Sequence, residues 1–197
     1  MKATFPEKIV SIVPNSDLTK VIINTSSEKD PGTGYFYDVS KGKIEFIASY
    51  APWLQDYDLG STYPFEFTAR DGVELMGYLT LPPGYKKGDK IPFILHPHGG
   101  PNAKDRFGFN PEVQIYATRG YGVLQINYRG SVGFGLKEMK LANKQWSLAM
   151  HDDLLDGLFW ANDQGYVNMD KVCISGASYG GYSATVSYTH LTLPTKA

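Results

Sequence analysis

The chain carries a single cysteine, Cys173, among its 197 residues. One thiol cannot cross-link a fold, so nothing here demands an oxidising compartment. Cys173 lies in an apolar run beside Ile174. It is expected to pack as a small buried hydrophobe. Long apolar runs are missing as well. None approaches the roughly 20 residues a membrane-crossing helix needs. Charge of one sign is not in excess either: 19 Lys and Arg face 20 Asp and Glu, a net −1. This argues against nucleic acid or an anionic membrane as a partner. The N-terminus, Met1-Lys-Ala-Thr-Phe-Pro6, has no apolar signal-peptide core, and a cytoplasmic location is the expectation. No internal repeat is visible. What is present is an ordinary globular composition, 42% apolar and 20% charged, with room for one domain or parts of two.

The pattern divides the chain in two. Lys8–Val13 and Lys20–Thr25 flank a turn at Asn15-Ser-Asp17, and Gly34–Val39 and Lys43–Ala48 flank Ser40-Lys-Gly42. These hairpins of alternating β-formers are spaced as in one four-stranded propeller blade. Ala51-Pro-Trp-Leu54 and Gln55–Ser61 read as a linker.

From Tyr63 strands begin to alternate with helices. Phe65–Ala69 and Val73–Leu81 flank Arg70-Asp-Gly72, where Asp-Gly predicts a type I′ turn. A loop at Pro82–Gly88 precedes a short apolar strand, Ile91–Leu95. A helix follows over about 111–118, with Asn110 as cap and Pro111 at its first position. Then come a buried strand at Gly122–Ile126, a helix near His151–Asp163, and a strand at Lys171–Ser175. Such alternation predicts a mostly parallel sheet with right-handed crossovers.

The strand at 171–175 runs into Gly176-Ala-Ser-Tyr-Gly-Gly-Tyr182, a G-x-S-x-G sequence followed by a further glycine, Gly181. This is a nucleophile elbow in its required context, with a strand before it and a helix behind. Gly176 and Gly180 remove the Cβ atoms that would clash as the chain folds back. Ser178 is thereby exposed, with the Tyr179 N–H and the helix N-terminus facing any developing negative charge. The strand at 91–95 runs into His96-Pro-His-Gly-Gly-Pro101, the position and composition of an α/β-hydrolase oxyanion loop. The expected oxyanion donors are the N–H groups of Gly100 and Tyr179.

His98-Gly-Gly-Pro101, Asn127-Tyr-Arg-Gly-Ser131, Gly133-Phe-Gly135, Gln145-Trp146, Asp152-Asp153 and Gly176–Tyr182 occur in one order. Together they resemble the prolyl oligopeptidase family of serine peptidases, and most nearly its acylaminoacyl-peptidase and dipeptidyl aminopeptidase branch. The resemblance runs from roughly Pro52 to Thr185. It implies an α/β fold: the first five strands and nucleophile elbow of an α/β-hydrolase, preceded by a β-propeller-blade-like segment. It also implies a peptide substrate and a triad in the order Ser, Asp, His. Only the Ser motif has a counterpart here. The expected domains are a blade remnant and linker over 1–60 and a partial catalytic domain over 61–185. Residues 186–197 resemble translated adapter sequence and are expected to be a non-native tail, poor in helical pattern. Lacking the triad Asp and His, the chain by itself is expected to be inactive.

Other features have plainer readings. His96 and His98 lack a third ligand at usable spacing, so no metal is expected, and both are read as shaping the oxyanion loop. His190 follows Ser178 too closely to serve as its base. His151, Asp152 and Asp153 read as the first turn of a helix, where carboxylates favour the dipole. Gly130-x-x-Gly133-x-Gly135 has the wrong spacing for a dinucleotide fingerprint, and no cofactor is expected. Arg129 either contacts substrate or pairs with a carboxylate. A serine peptidase is the leading function. An esterase or lipase on the same fold and a non-enzymatic binding module are the alternatives. The oligomeric state is not readable.

Overall fold

Two sheets organise the chain in the computed structural model, which describes residues 3–191, with side chains through Ser187. The first is an antiparallel meander of β1 (Ile9–Pro14), β2 (Lys20–Ser27), β3 (Asp30–Asp38) and β4 (Lys43–Ser49), in that spatial order. Short polar turns join consecutive strands, which is why sequence neighbours are also spatial neighbours. Only β2 shows strict alternation, burying Val21, Ile23, Thr25 and Ser27. A short 3₁₀ turn at Pro52–Asp56 leads out of the sheet.

The second sheet contains β5 (Ser61–Thr68), β6 (Glu74–Leu81), β7 (Ile91–Leu95), β8 (Gly122–Asn127) and β9 (Val167–Ile174). Their order is β5-β6-β8-β7-β9. The expectation of a mostly parallel sheet is corrected here to a mixed one. β5 with β6 and β6 with β8 pair antiparallel, and β7 pairs parallel with both β8 and β9. The tight turn makes β5 and β6 antiparallel to each other, and β6 runs opposite to β8. The turn itself is not type I′. Gly72 has φ +84° but Asp71 stays outside the left-handed region. Gly72 N–H donates to Ala69 O, and Ala69 N–H to Val73 O, a three-residue loop with glycine at the left-handed position.

Helices cover both faces. α3 (Ala149–Asp163) sends Met150, Leu154, Leu158 and Ala161 onto Phe67, Phe93, Leu124 and Ile126. α1 (Pro111–Ala117) packs Val113 on Ile94 and Val123 from the other side. Asn110 caps α1 as expected, its side chain accepting from the N–H groups of Glu112 and Val113. With both faces covered, all six residues of β8 are buried. A one-turn helix α2 (Leu136–Lys140), which the sequence pattern did not reveal, closes the Asn127–Gly135 loop.

Three further expectations change. Cys173 is exposed. It lies on edge strand β9 in register with Ile94, and the α1 cover over Ile94 and Val123 stops short of it. α4 (Tyr179–Leu191) continues beyond Thr185. Two of its hydroxyls bond within the helix, Thr185 Oγ1 donating to Tyr182 O and Ser187 Oγ to Ser183 O. Residues 192–197, the rest of the segment read as non-native, lie outside the described residues. Asp153 does more than face a helix dipole. It is fully buried and accepts from the Arg129 N–H, Nε and Nη2.

Candidate active site

Parallel pairing of β7 with β9 brings their two C-terminal loops together. Ser175 N–H still donates to Leu95 O and His96 N–H to Leu124 O, and beyond Ser175 and His96 both strands leave the sheet. β9 then turns sharply into α4, and Ser178 sits at the apex with φ +56°. A non-glycine residue held in that region costs about 1–3 kcal/mol and is found where surrounding structure over-determines it. Two glycines allow the turn. A Cβ on Gly180 would lie 2.2 Å from Pro97 O, and one on Gly176 2.7 Å from the same oxygen. Gly181 is less constrained, its nearest contact being Gly176 O at 3.2 Å. The nucleophile turn is thus pressed against the loop that follows β7.

Ser178 is exposed, and no described side chain hydrogen-bonds its Oγ. The Gly99–Gly100 segment passes beside it: a Cβ on Gly99 would stand 3.3 Å from Ser178 Cβ and 3.8 Å from its Oγ. Gly100 has φ +128°, and a side chain there would strike the Asn102 N–H. Among the described residues, the N–H groups of Gly100 and Tyr179 donate no hydrogen bond. The Tyr179 N–H opens α4, at the positive end of its dipole.

An aromatic cluster packs around the residue after Ser178. The Tyr179 ring is buried against Tyr128 (5.2 Å), Trp146 (4.9 Å) and Tyr182 (5.7 Å). Burial raises the Tyr179 and Tyr128 hydroxyls above the ordinary phenol range. Ser147, with φ +57°, hydrogen-bonds the Tyr182 hydroxyl. Sequence reasoning singled out Trp146 only as part of a motif and missed the role of its neighbours. No local periodicity marks residues that meet from two loops and a helix.

His98 stacks on Tyr128 at 4.4 Å and spans from the Gly99 carbonyl to Ser131 Oγ. Burial lowers its pKa, opposed by the bond to Gly99. His96 turns the other way, its Nδ1 2.8 Å from Ser175 O. The two rings therefore do not converge. Among the described residues no three His, Cys, Asp or Glu side chains gather to hold a metal. Arg129 pairs with Asp153 and with Asp71, so the carboxylate reading of this residue holds. A cavity of about 340 Å³ lies beyond the Asn127–Ser131 segment, lined by Leu75, Met76, Ser131, Phe134 and Leu141 among others. Its lining includes none of Ser178, Gly100 and Tyr179.

Comparison with known proteins bears on the family and the fold. Residues 107–193 match the prolyl oligopeptidase family. The chain is 39% identical over 174 residues to dipeptidyl aminopeptidase BIII of Pseudoxanthomonas mexicana, covering 85% of this chain and 25% of that protein. It is 34% identical over 209 aligned positions to dipeptidyl peptidase family member 6 of Caenorhabditis elegans, covering 96% of this chain and 28% of that one. The chain thus spans about a quarter of the length of these relatives. Among solved structures, the Pyrococcus horikoshii acylaminoacyl peptidase superposes with a TM-score of 0.76 at 24% identity, over 93% of this chain and 29% of that one. That likeness carries the fold, and the sequence matches carry the family: the chain belongs to the prolyl oligopeptidase family.

Proposed function

We propose that this chain forms part of a serine peptidase in which Ser178 attacks the carbonyl of a peptide bond. The observation that carries the reading is Ser178 itself: a strained residue at φ +56°, exposed at a strand-to-helix turn beside two undonated N–H groups. Those N–H groups, of Gly100 and Tyr179, receive the oxyanion of the tetrahedral intermediate. One such donor contributes about 3 kcal/mol of transition-state stabilisation. Gly176, Gly180 and Gly181 form the elbow that holds the nucleophile in place. The base that accepts the Ser178 proton, and its carboxylate partner, are assigned to residues outside those described. Without that base the hydroxyl is a weak nucleophile near pH 7, so the 197-residue chain alone is expected to be inactive. The names of the relatives favour short peptides over simple esters as substrates.

The test uses the full-length protein that carries this segment. A fluorophosphonate probe should label Ser178, and Ser178→Ala should abolish both labelling and turnover without unfolding the protein. Parallel assays on aminoacyl p-nitroanilides and short-acyl esters should favour the former. Labelling that survives Ser178→Ala rules the assignment out. A strong preference for esters moves the reading to an esterase.

A further inference from the structure

Ser175 is the last residue of the ladder that delivers Ser178, three positions upstream. In a parallel ladder a residue donates its N–H to one residue of the neighbouring strand and accepts at its C=O from the N–H two residues further on. Ser175 N–H donates to Leu95 O at 3.0 Å. The backbone donor due at Ser175 O is therefore that of residue 97. Residue 97 is proline and has none. A carbonyl left bare at this point would let the end of β9 fray. The backbone carbonyl of the same residue packs against Gly176 and Gly180 in the elbow.

The missing donor is replaced from the preceding residue. His96 N–H stays in the sheet, bonded to Leu124 O at 2.8 Å. Its buried ring swings across to β9 and sets Nδ1 2.8 Å from Ser175 O. A carbonyl only accepts, so Nδ1 must carry a proton. This leaves Nε2 facing Glu112 at 3.7 Å. Tyr116, on the far end of α1 from Asn110, closes the arrangement with its hydroxyl 2.9 Å from Ser175 Oγ. All three polar groups of Ser175 are thus held, two from the end of β7 and one from α1.

We propose that His96 is a positioning residue for the nucleophile, its Nδ1–H standing in for the ladder donor that Pro97 removes. The proposal rests on Ser178 being the nucleophile. His96 touches no reacting atom. It acts through Ser175 on the angle at which the strand presents Ser178.

The experiment measures the rate of fluorophosphonate labelling at Ser178, together with kcat and KM on an aminoacyl p-nitroanilide, in the full-length protein. If wild type is not labelled at Ser178, the nucleophile assignment fails and the variants are not needed to show it. With wild type labelled, His96→Leu keeps the bulk and loses the donor. It should lower kcat and the labelling rate about tenfold, as small misplacements of a reacting group do, with KM within about twofold. His96→Asn, whose amide nitrogen can occupy the Nδ1 position, should recover most of that loss. Pro97→Ala restores a backbone N–H at 97, so His96→Leu should cost far less in that background. This double variant also serves if His96→Leu alone does not fold, because it should restore soluble, labelled protein. Equal losses for Leu and Asn at 96, wild-type labelling by His96→Leu, or no relief from Pro97→Ala would each overturn the proposal.

Discussion

The two sheets use similar strands and treat them differently. In the meander, β1 and β4 are exposed along nearly their whole length, and Val13, Phe46 and Ile47 face solvent. In the mixed sheet β8 is buried at every position, and charged groups are buried with it. Arg129, in the segment that follows β8, and Asp153 of α3 are joined by two side-chain hydrogen bonds and one from the backbone. The meander has ion pairs too, such as Lys8 with Asp30, but these lie at the surface. The difference teaches where electrostatics matters. A surface pair is screened and contributes little, whereas a buried pair becomes costly once either partner is lost.

The largest effect should come from breaking the buried pair. Asp153→Ala leaves Arg129 with only the half-exposed Asp71 and should cost about 3–5 kcal/mol. Urea denaturation measures it. A loss under about 1 kcal/mol would mean that Asp71 or water compensates the guanidinium.

Next is Gly180→Ala. Its Cβ would meet a backbone oxygen at 2.2 Å, and backbone cannot yield as a side chain can. Overpacking of this kind costs about 1–3 kcal/mol, and here it should also slow fluorophosphonate labelling. Wild-type stability and labelling together would show that the elbow is looser than its contacts indicate.

The junction of the two sheets is smaller again. Gln114 of α1 accepts from the Gly60 N–H and donates to Gly60 O and to Glu28 O in the β2–β3 turn. Gln114→Ala strands buried backbone groups and should cost about 1–2 kcal/mol. Hydrogen exchange should quicken around Glu28 and Gly60 while β8 stays protected. Faster exchange throughout β8 would contradict a role confined to the junction.

Asp105, in the loop that follows β7, gives a pH-dependent contrast where it meets the mixed sheet at Gln125. Its Oδ1 accepts from Gln125, but Oδ2 is buried with no partner, and burial pushes its pKa up to about 7. The unfolded carboxyl titrates near 3.8. Between those values the folded state binds the extra proton, so this group's contribution to stability falls as pH rises from about 4 to 7. Asp105→Asn should raise Tm at pH 8 relative to wild type and little at pH 4. An unchanged difference across that range would refute the raised pKa.

The smallest effect belongs to the meander. Lys8→Gln removes one surface ion pair and should change stability by less than about 0.5 kcal/mol. A loss near that of Asp153→Ala would erase the contrast between the sheets.

Much of the fold was legible locally. The strand Ile91–Leu95, the Asn110 cap and the elbow glycines each rest on rules that act within a few residues. The readings that failed involve partners distant in sequence. Asp-Gly at 71–72 predicts a type I′ turn, yet Asp71 is held by Arg129, 58 positions away. Asp153 resembles a helix-start carboxylate until Arg129 is brought beneath it.

The sequence by itself determined the order of the strands and of the longer helices, because periodicity, caps and backbone freedom are local properties. Tertiary structure alone decided that Cys173 is exposed and that Arg129 faces carboxylates. It alone set the His96 ring against Ser175 O, and only the pairing of β7 with β9 makes Pro97 the rung that lacks a donor. Those outcomes depend on which strands become neighbours, and in a mixed sheet that choice is made by long-range pairing rather than by any stretch of sequence.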